Sequence, residues 1–197
     1  MSEIVFDLTF EFCRCYVDTT NSSNTSYHHN RQADQMLQAA RSGKQNISEG
    51  SQTSGTSKQS EMRLVDVARA SLEELLTDYK DFLRLNNLPQ WSKDDARSIA
   101  VRKLAYLPNR TYTTYMSYMS NPQSAANCLL CLINQANYLL DQQLRALGKD
   151  LVDKGDFKDR YKQIRKEKML DQGPSHDEFL KQFGLKRLEN GQVVKDE

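Results

Sequence analysis

This sequence has little proline and glycine: four Pro and eight Gly in 197 residues. That scarcity excludes collagen-like and proline-rich chains and accompanies long helices. No stretch approaches the roughly 20 uninterrupted apolar residues of a membrane span. Charge of one sign is also missing, with 27 Lys and Arg against 26 Asp and Glu. A formal net charge of +1 argues against coating nucleic acid or an anionic membrane by bulk charge. The opening MSEIVFDLTF carries acids where an export signal would carry Lys or Arg. The expectation is a soluble cytoplasmic chain that does not engage membrane. Four cysteines (13, 15, 128 and 131) do not read as a disulfide framework, which small secreted chains need and a chain of this length does not. In that compartment the sequons at Asn21, Asn24, Asn46 and Asn109 carry no glycan.

What the sequence does contain is helical periodicity. All four prolines (89, 108, 122 and 174) fall between apolar-periodic segments, where a missing N–H does least harm. A first helix over about 3–19 aligns Ile4, Leu8, Phe12 and Cys15/Tyr16. Residues 20–30 are polar and aperiodic and predict a loop. A second helix over about 31–49 aligns Met36, Ala40, Gly43 and Ile47. Gly43 costs that helix about 1 kcal/mol relative to Ala, so a packing reason is expected for it. Residues 50–57 predict a flexible loop, with Ser57 or Thr56 capping the third helix.

That third helix places Val65, Ala68, Leu72, Leu75, Tyr79 and Phe82 in alternating steps of three and four, a heptad seam. A corner at Pro89 and Trp91 precedes a short helix over 93–104, and 105–121 predicts irregular chain. Asn121-Pro122 opens the last long helix. It carries Ala125, Leu129, Leu132, Ala136, Leu139/Leu140, Leu144 and Leu147, with Gly148 framing its end. Four amphipathic helices without a strand pattern predict an all-α fold, an up-down four-helix bundle over 1–149. Residues 150–170 form a basic helical suffix, and 171–197 a partly ordered tail. Between Arg145 and Leu170 nine bases face five acids, whereas 171–197 holds six acids and four bases.

Several stretches together resemble one family. QAARSGKQNISEG (38–50), SKQSEMRLVDVARASLEELLTDYKDFL (57–83), NRTY (109–112), LLCLINQANYLLDQQLRAL (129–147) and DFKDRYKQIRKEK (156–168) are similar to the bacterial four-helix-bundle protein family. Its members include proteins encoded in intervening sequences of large-subunit ribosomal RNA genes, and retroelement accessory proteins are related. The four-helix-bundle suffix-domain subgroup fits best, over roughly residues 5–170. The resemblance implies a small cytoplasmic homo-oligomer, often a five-membered ring, without enzymatic chemistry or cofactor. It also implies RNA or a protein such as a reverse transcriptase as partner. With a net charge of +1, nucleic-acid binding here would be confined to a patch.

Two clusters are candidate sites. Arg160, Lys162, Arg165, Lys166 and Lys168, with Tyr161, could neutralise phosphates and stack on a base. The alternative is a solvated face diluted by Asp153, Asp156, Asp159 and Glu167. The second cluster is polar and lies on helices two and three. Asn46, Glu49 and Gly50 match the family's N-I-x-E-G motif; Arg41, Arg69, Glu73 and Glu74 lie near it on helical spacing. These groups would fix helix register through ion pairs such as Glu49 with Arg69 or Arg41. As a different class of function, a metal-assisted hydrolase would use Glu49, Glu73 or Glu74, but no nucleophile or His sits among them. Gly50, Gly55 and Lys58 miss the spacing of a phosphate loop. Cys13 and Cys15 diverge by about 200° on a helix, so the four thiols predict core packing rather than zinc. His28, His29 and His176 show no ligand spacing and predict solvated side chains.

Overall fold

A computed structural model describes residues 1–17, 26–55, 57–171, 180–181, 183–188 and 192–195. The side chains of 26–30, 154, 157–158 and 168–171 lie outside that description. The chain divides into two compact units, Met1–Lys154 and Gly155–Glu197.

The first unit is the predicted up-down bundle. Its long helices are α1 (Ser2–Phe12, continued by a π turn over Cys13–Val17), α2 (Ser26–Thr53), α3 (Lys58–Leu85) and α5 (Pro122–Lys154). Cross-helix contacts fix the directions. Cys13 reaches the Ala33 carbonyl and Phe6 lies under Lys44, so α1 and α2 are antiparallel. Gly43 meets Leu72 and Gly50 meets Leu64, so α2 and α3 are antiparallel. Glu73 meets Asn137 and Glu61 meets Gln143, which sets α5 antiparallel to α3. Thr9 pairs with Tyr79 and Phe12 with Phe82, so α1 and α3 run parallel across the diagonal. No helix of the described residues is long and apolar enough to cross a membrane.

The heptad seam of α3 is buried at every expected position, Val65, Ala68, Leu72, Leu75, Tyr79 and Phe82. Ser57 caps α3, accepting from the Ser60 N–H at 3.2 Å; Thr56 lies outside the described residues. At the other end of the bundle Asn121 accepts from the Ser124 N–H at 2.8 Å, and Pro122 is the first residue of α5. Phe12 is the aromatic hub of the core. Its ring stands edge-on to Tyr79 and Phe82, with centroids 4.9 and 4.8 Å away. The buried Tyr79 hydroxyl donates to Thr9, whose own hydroxyl donates to the Val5 carbonyl.

Several boundaries differ from expectation for local reasons. α2 starts at Ser26, inside the stretch expected as loop, while 18–25 lie outside the described residues. It also runs through 50–53, because Gly50 packs against Leu64 and Val65 of α3 instead of breaking the helix. Gly148 does not end α5. The helix continues six residues to Lys154, and Gly155, at φ +67°, supplies the left-handed residue that stops it. Cys15 is exposed, not packed, because the π turn shifts the buried positions to Cys13 and Val17. Between α3 and α5 lie α4 (Ala96–Leu104), inside the short helix expected over 93–104, and a 3-10 helix over Tyr112–Ser120, where 105–121 was expected to be irregular. That helix anchors through buried Tyr115 and Met119.

α1 is short. With Thr9 beside Tyr79, its start reaches only about as far as Leu72. Among the described residues the other half of the bundle therefore holds three helices, and there Ile47, Met62 and Leu144 are half-buried.

The second unit holds α6 (Phe157–Asp171) and a hairpin that the sequence pattern did not suggest. Strands β1 (Leu185–Arg187) and β2 (Val193–Lys195) pair antiparallel, Lys186 opposite Val194. Leu180 is buried and Phe183 exposed; Phe179 and His176 lie outside the described residues.

Candidate functional site

The polar cluster on α2 and α3 is a set of helix contacts on opposite sides of α3. Toward α2, the Ser42 and Ser71 hydroxyls meet at 2.9 Å. Asn46 donates to the Ser42 carbonyl at 2.9 Å and to its hydroxyl at 3.2 Å. This short chain sits where Gly43 lets the two backbones approach, so Asn46 serves the crossing. Toward α5, Arg69 pairs with Asp141 at 2.5 Å and Glu73 accepts from Asn137 at 3.0 Å. The expected pair of Glu49 with Arg69 or Arg41 is not formed among the described residues. Arg69 turns to α5 instead, and Arg41 and Glu49 are exposed on α2. Glu49, Glu73 and Glu74 thus point to different surroundings and do not converge. Gly50 lies within α2, so no phosphate loop forms there, and Lys58 pairs with Glu61 at 3.5 Å.

Glu74 and Asp78 line a groove of 430 Å³ between α2 and α3, beside Ser42 and Ser71. Burial, then the neighbouring Asp81 and Glu74 carboxylates, raise the Asp78 pKa. A folded-state pKa above the unfolded one means the fold loses stability as pH climbs from the unfolded value through the folded one. Asp78→Asn is therefore expected to raise the melting temperature at neutral pH. For this half-exposed group the gain is about 1–2 °C. It should vanish below the ordinary carboxylate range, which melting curves across pH would show.

In the suffix, α6 exposes every described side chain from Asp159 to Glu167, including Arg160, Tyr161, Lys162, Arg165 and Lys166. The backbone of Lys168 continues the helix, while its side chain lies outside the described residues. The five positions lie within two helical turns, so the cations are spread around the helix more than gathered on one stripe.

A third feature is the one the sequence did not reveal. The corner after α3, α4 with the stretch that follows it, and the first half of α5 line a half-open cavity of 640 Å³ that Met1 also borders. Buried Asn127 holds the corner: it accepts from the Trp91 backbone N–H at 2.7 Å and donates to the Pro89 carbonyl at 3.1 Å. Arg97 from α4 lies over the Trp91 ring at 4.6 Å. Arg102 donates to the Lys93 carbonyl at 2.7 Å and Gln135 to the Arg102 carbonyl at 3.2 Å. Those bonds leave Trp91 Nε1, Arg110 Nε and Gln135 Oε1 buried without partners among the described residues.

Comparison with protein-family models, curated proteins and solved structures finds no match.

The cysteines take unlike places. Cys13 and Cys128 are buried, Cys131 is half-buried at the cavity wall, and Cys15 is exposed. Burial pushes the Cys128 and Cys131 thiols upward, away from the thiolate that metal or nucleophilic chemistry needs. Asn121-Pro122 and the NRTY stretch were legible as a helix start and a motif, whereas Asn127 was not singled out. That Arg110 and Asn127 meet Trp91 and Gln135 at one cavity depends on how α4 folds back on α5, which no local pattern encodes.

Proposed function

We propose that this chain is a non-enzymatic, homo-oligomeric scaffold of the bacterial four-helix-bundle family, in its suffix-domain subgroup, that engages RNA or a partner protein through its basic suffix. The observation that carries the reading is the exposure of α6, whose Arg160, Lys162, Arg165 and Lys166 stand in solvent with Tyr161 among them. Exposed cations interleaved with an aromatic ring suit a single-stranded phosphate backbone, which offers charge and a stacking face. One such helix binds weakly. Repeated once per subunit, as in the rings the resemblance implies, it gains avidity without new contacts. The three-helix half of the bundle, with Ile47, Met62 and Leu144 half-buried, supports assembly by offering apolar surface that another copy would cover.

Two measurements test this. Light scattering on the full chain is expected to give a mass several times that of one 22.7 kDa protomer. Joint replacement of Arg160, Lys162, Arg165 and Lys166 by Gln is expected to weaken binding to single-stranded RNA. The slope of log affinity against log salt should flatten by about 3. A monomeric mass would remove the scaffold reading. Wild-type protein showing no salt-sensitive affinity for RNA or single-stranded DNA would remove the nucleic-acid partner and leave a protein partner.

A further inference from the structure

We infer that the cavity between α4 and α5 is a binding site for an anionic heteroaromatic compound of mononucleotide size, a flat ring carrying a phosphate group. Its volume, 640 Å³, falls within the range of small-molecule pockets and far exceeds what an inorganic anion fills. The lining is one-sided in charge. Lys93, Arg102 and Arg110 contribute cations, and no carboxylate is among the lining residues described. Cations gathered without acids in a partly enclosed space favour an anion, the more so because the surrounding apolar walls lower the local dielectric.

The unpartnered groups sharpen the ligand further. The Trp91 indole N–H, on a side chain only 8% exposed, and the Arg110 Nε–H are donors with nothing to donate to. Gln135 Oε1 is an acceptor with nothing to accept, because its amide nitrogen is already bound to the Arg102 carbonyl. All three residues line one cavity while the atoms themselves are covered within its wall, so a small turn of each side chain brings an unpaired group to an arriving partner. Two donors with cations call for phosphate oxygens. The acceptor calls for a ligand N–H, which an exocyclic amine on a nucleobase supplies. Aromatic walls complete the fit: Tyr106 and Tyr138 line the same cavity at 84% and 63% exposure, open to stack on a ring.

The same chemistry has two sources, a free mononucleotide or the 5′-phosphorylated end of an RNA, and both can be offered to the full-length protein. Trp91 is the only tryptophan in the chain, so its fluorescence reports on this cavity alone. The probes are adenosine 5′-monophosphate, adenosine, inorganic phosphate and a short 5′-phosphorylated RNA. All are titrated into wild type and into the variant with Arg160, Lys162, Arg165 and Lys166 changed to Gln. That background separates failure here from failure of the suffix reading.

Adenosine 5′-monophosphate is expected to change the Trp91 signal saturably, with half-saturation below about 1 mM. Adenosine and phosphate alone should each bind about tenfold more weakly. Arg102→Gln and Arg110→Gln should each lower affinity about tenfold while the far-ultraviolet circular dichroism stays unchanged. If one of the two misfolds, the other and the rim variant Tyr138→Ala carry the test. Saturation by the 5′-phosphorylated RNA alone, persisting in the suffix variant, would assign the ligand to an RNA terminus. The proposal is overturned by any of three results: no saturable change from any probe up to about 10 mM, inorganic phosphate binding as well as the nucleotide, or both Arg variants binding like wild type.

Discussion

Gly43→Leu is expected to destabilise the bundle by about 3 kcal/mol and to lower its melting temperature. A Cβ built at Gly43 lies 3.0 Å from both Cγ and Cδ2 of Leu72, and 3.6 Å from the Ala68 carbonyl oxygen. Leu72 is itself 1% exposed, so it can move only by displacing other buried side chains. A full leucine side chain must therefore push α2 off α3. That separation would also break the Ser42–Ser71 contact on which Asn46 leans. Gly43→Ala is the informative smaller step. It returns about 1 kcal/mol of helix propensity against a small displacement of Leu72, so its net effect should be close to zero. Gly50→Ala should be tolerated outright, since its Cβ would meet Leu64 at an ordinary 3.5 Å. Urea unfolding of the three variants would check the order. A Gly43→Leu protein with an unchanged midpoint would show that the crossing is not tight.

Phe12→Ala should cost about 3–5 kcal/mol, the range for emptying a buried aromatic site. The ring is fully buried and touches Tyr16, Tyr79 and Phe82, all at centroid distances of 5.4 Å or less. It is also the main tie between α1 and α3, which are diagonal neighbours and share no short loop. Melting followed by circular dichroism should fall by about 10 °C. Phe12→Leu, which keeps most of the volume, should lose well under half as much. Equal losses from the two variants would mean that the site collapses freely and that edge-on ring packing contributes little.

The fold was legible because periodic burial and helix-start chemistry are local. The α3 seam needed only residue spacing, and the opening of α5 needed only Asn121 and Pro122. Helix ends were less legible because glycine has two uses. Gly148 and Gly50 have ordinary helical surroundings, with Met62 3.9 Å from a Cβ at 148. Gly155 alone among these takes a positive φ, and spacing cannot distinguish the two roles. The hairpin strands are three residues each, too short for alternation to register. As for the sites, the cationic suffix was visible as a charge run. The cavity was not, because Trp91, Arg102, Arg110 and Gln135 come from four separate stretches and only the return of α4 onto α5 gathers them. The expected Glu49–Arg69 pairing failed for a similar reason: helical spacing gives the face of α3, but not that Arg69 faces α5.

The brevity of α1 grades the bundle along its axis. Amide protons in the half roofed by α1 sit beneath a complete set of neighbours around Phe12, Tyr79 and Leu132. Those near the α2–α3 turn lack one shielding rod. Opening fluctuations should therefore begin at that end and exchange solvent hydrogen there at lower free energy, while the aromatic end exchanges only with whole-unit unfolding. The rigid end also holds the corner at Trp91, so the cavity keeps its shape while the opposite end breathes.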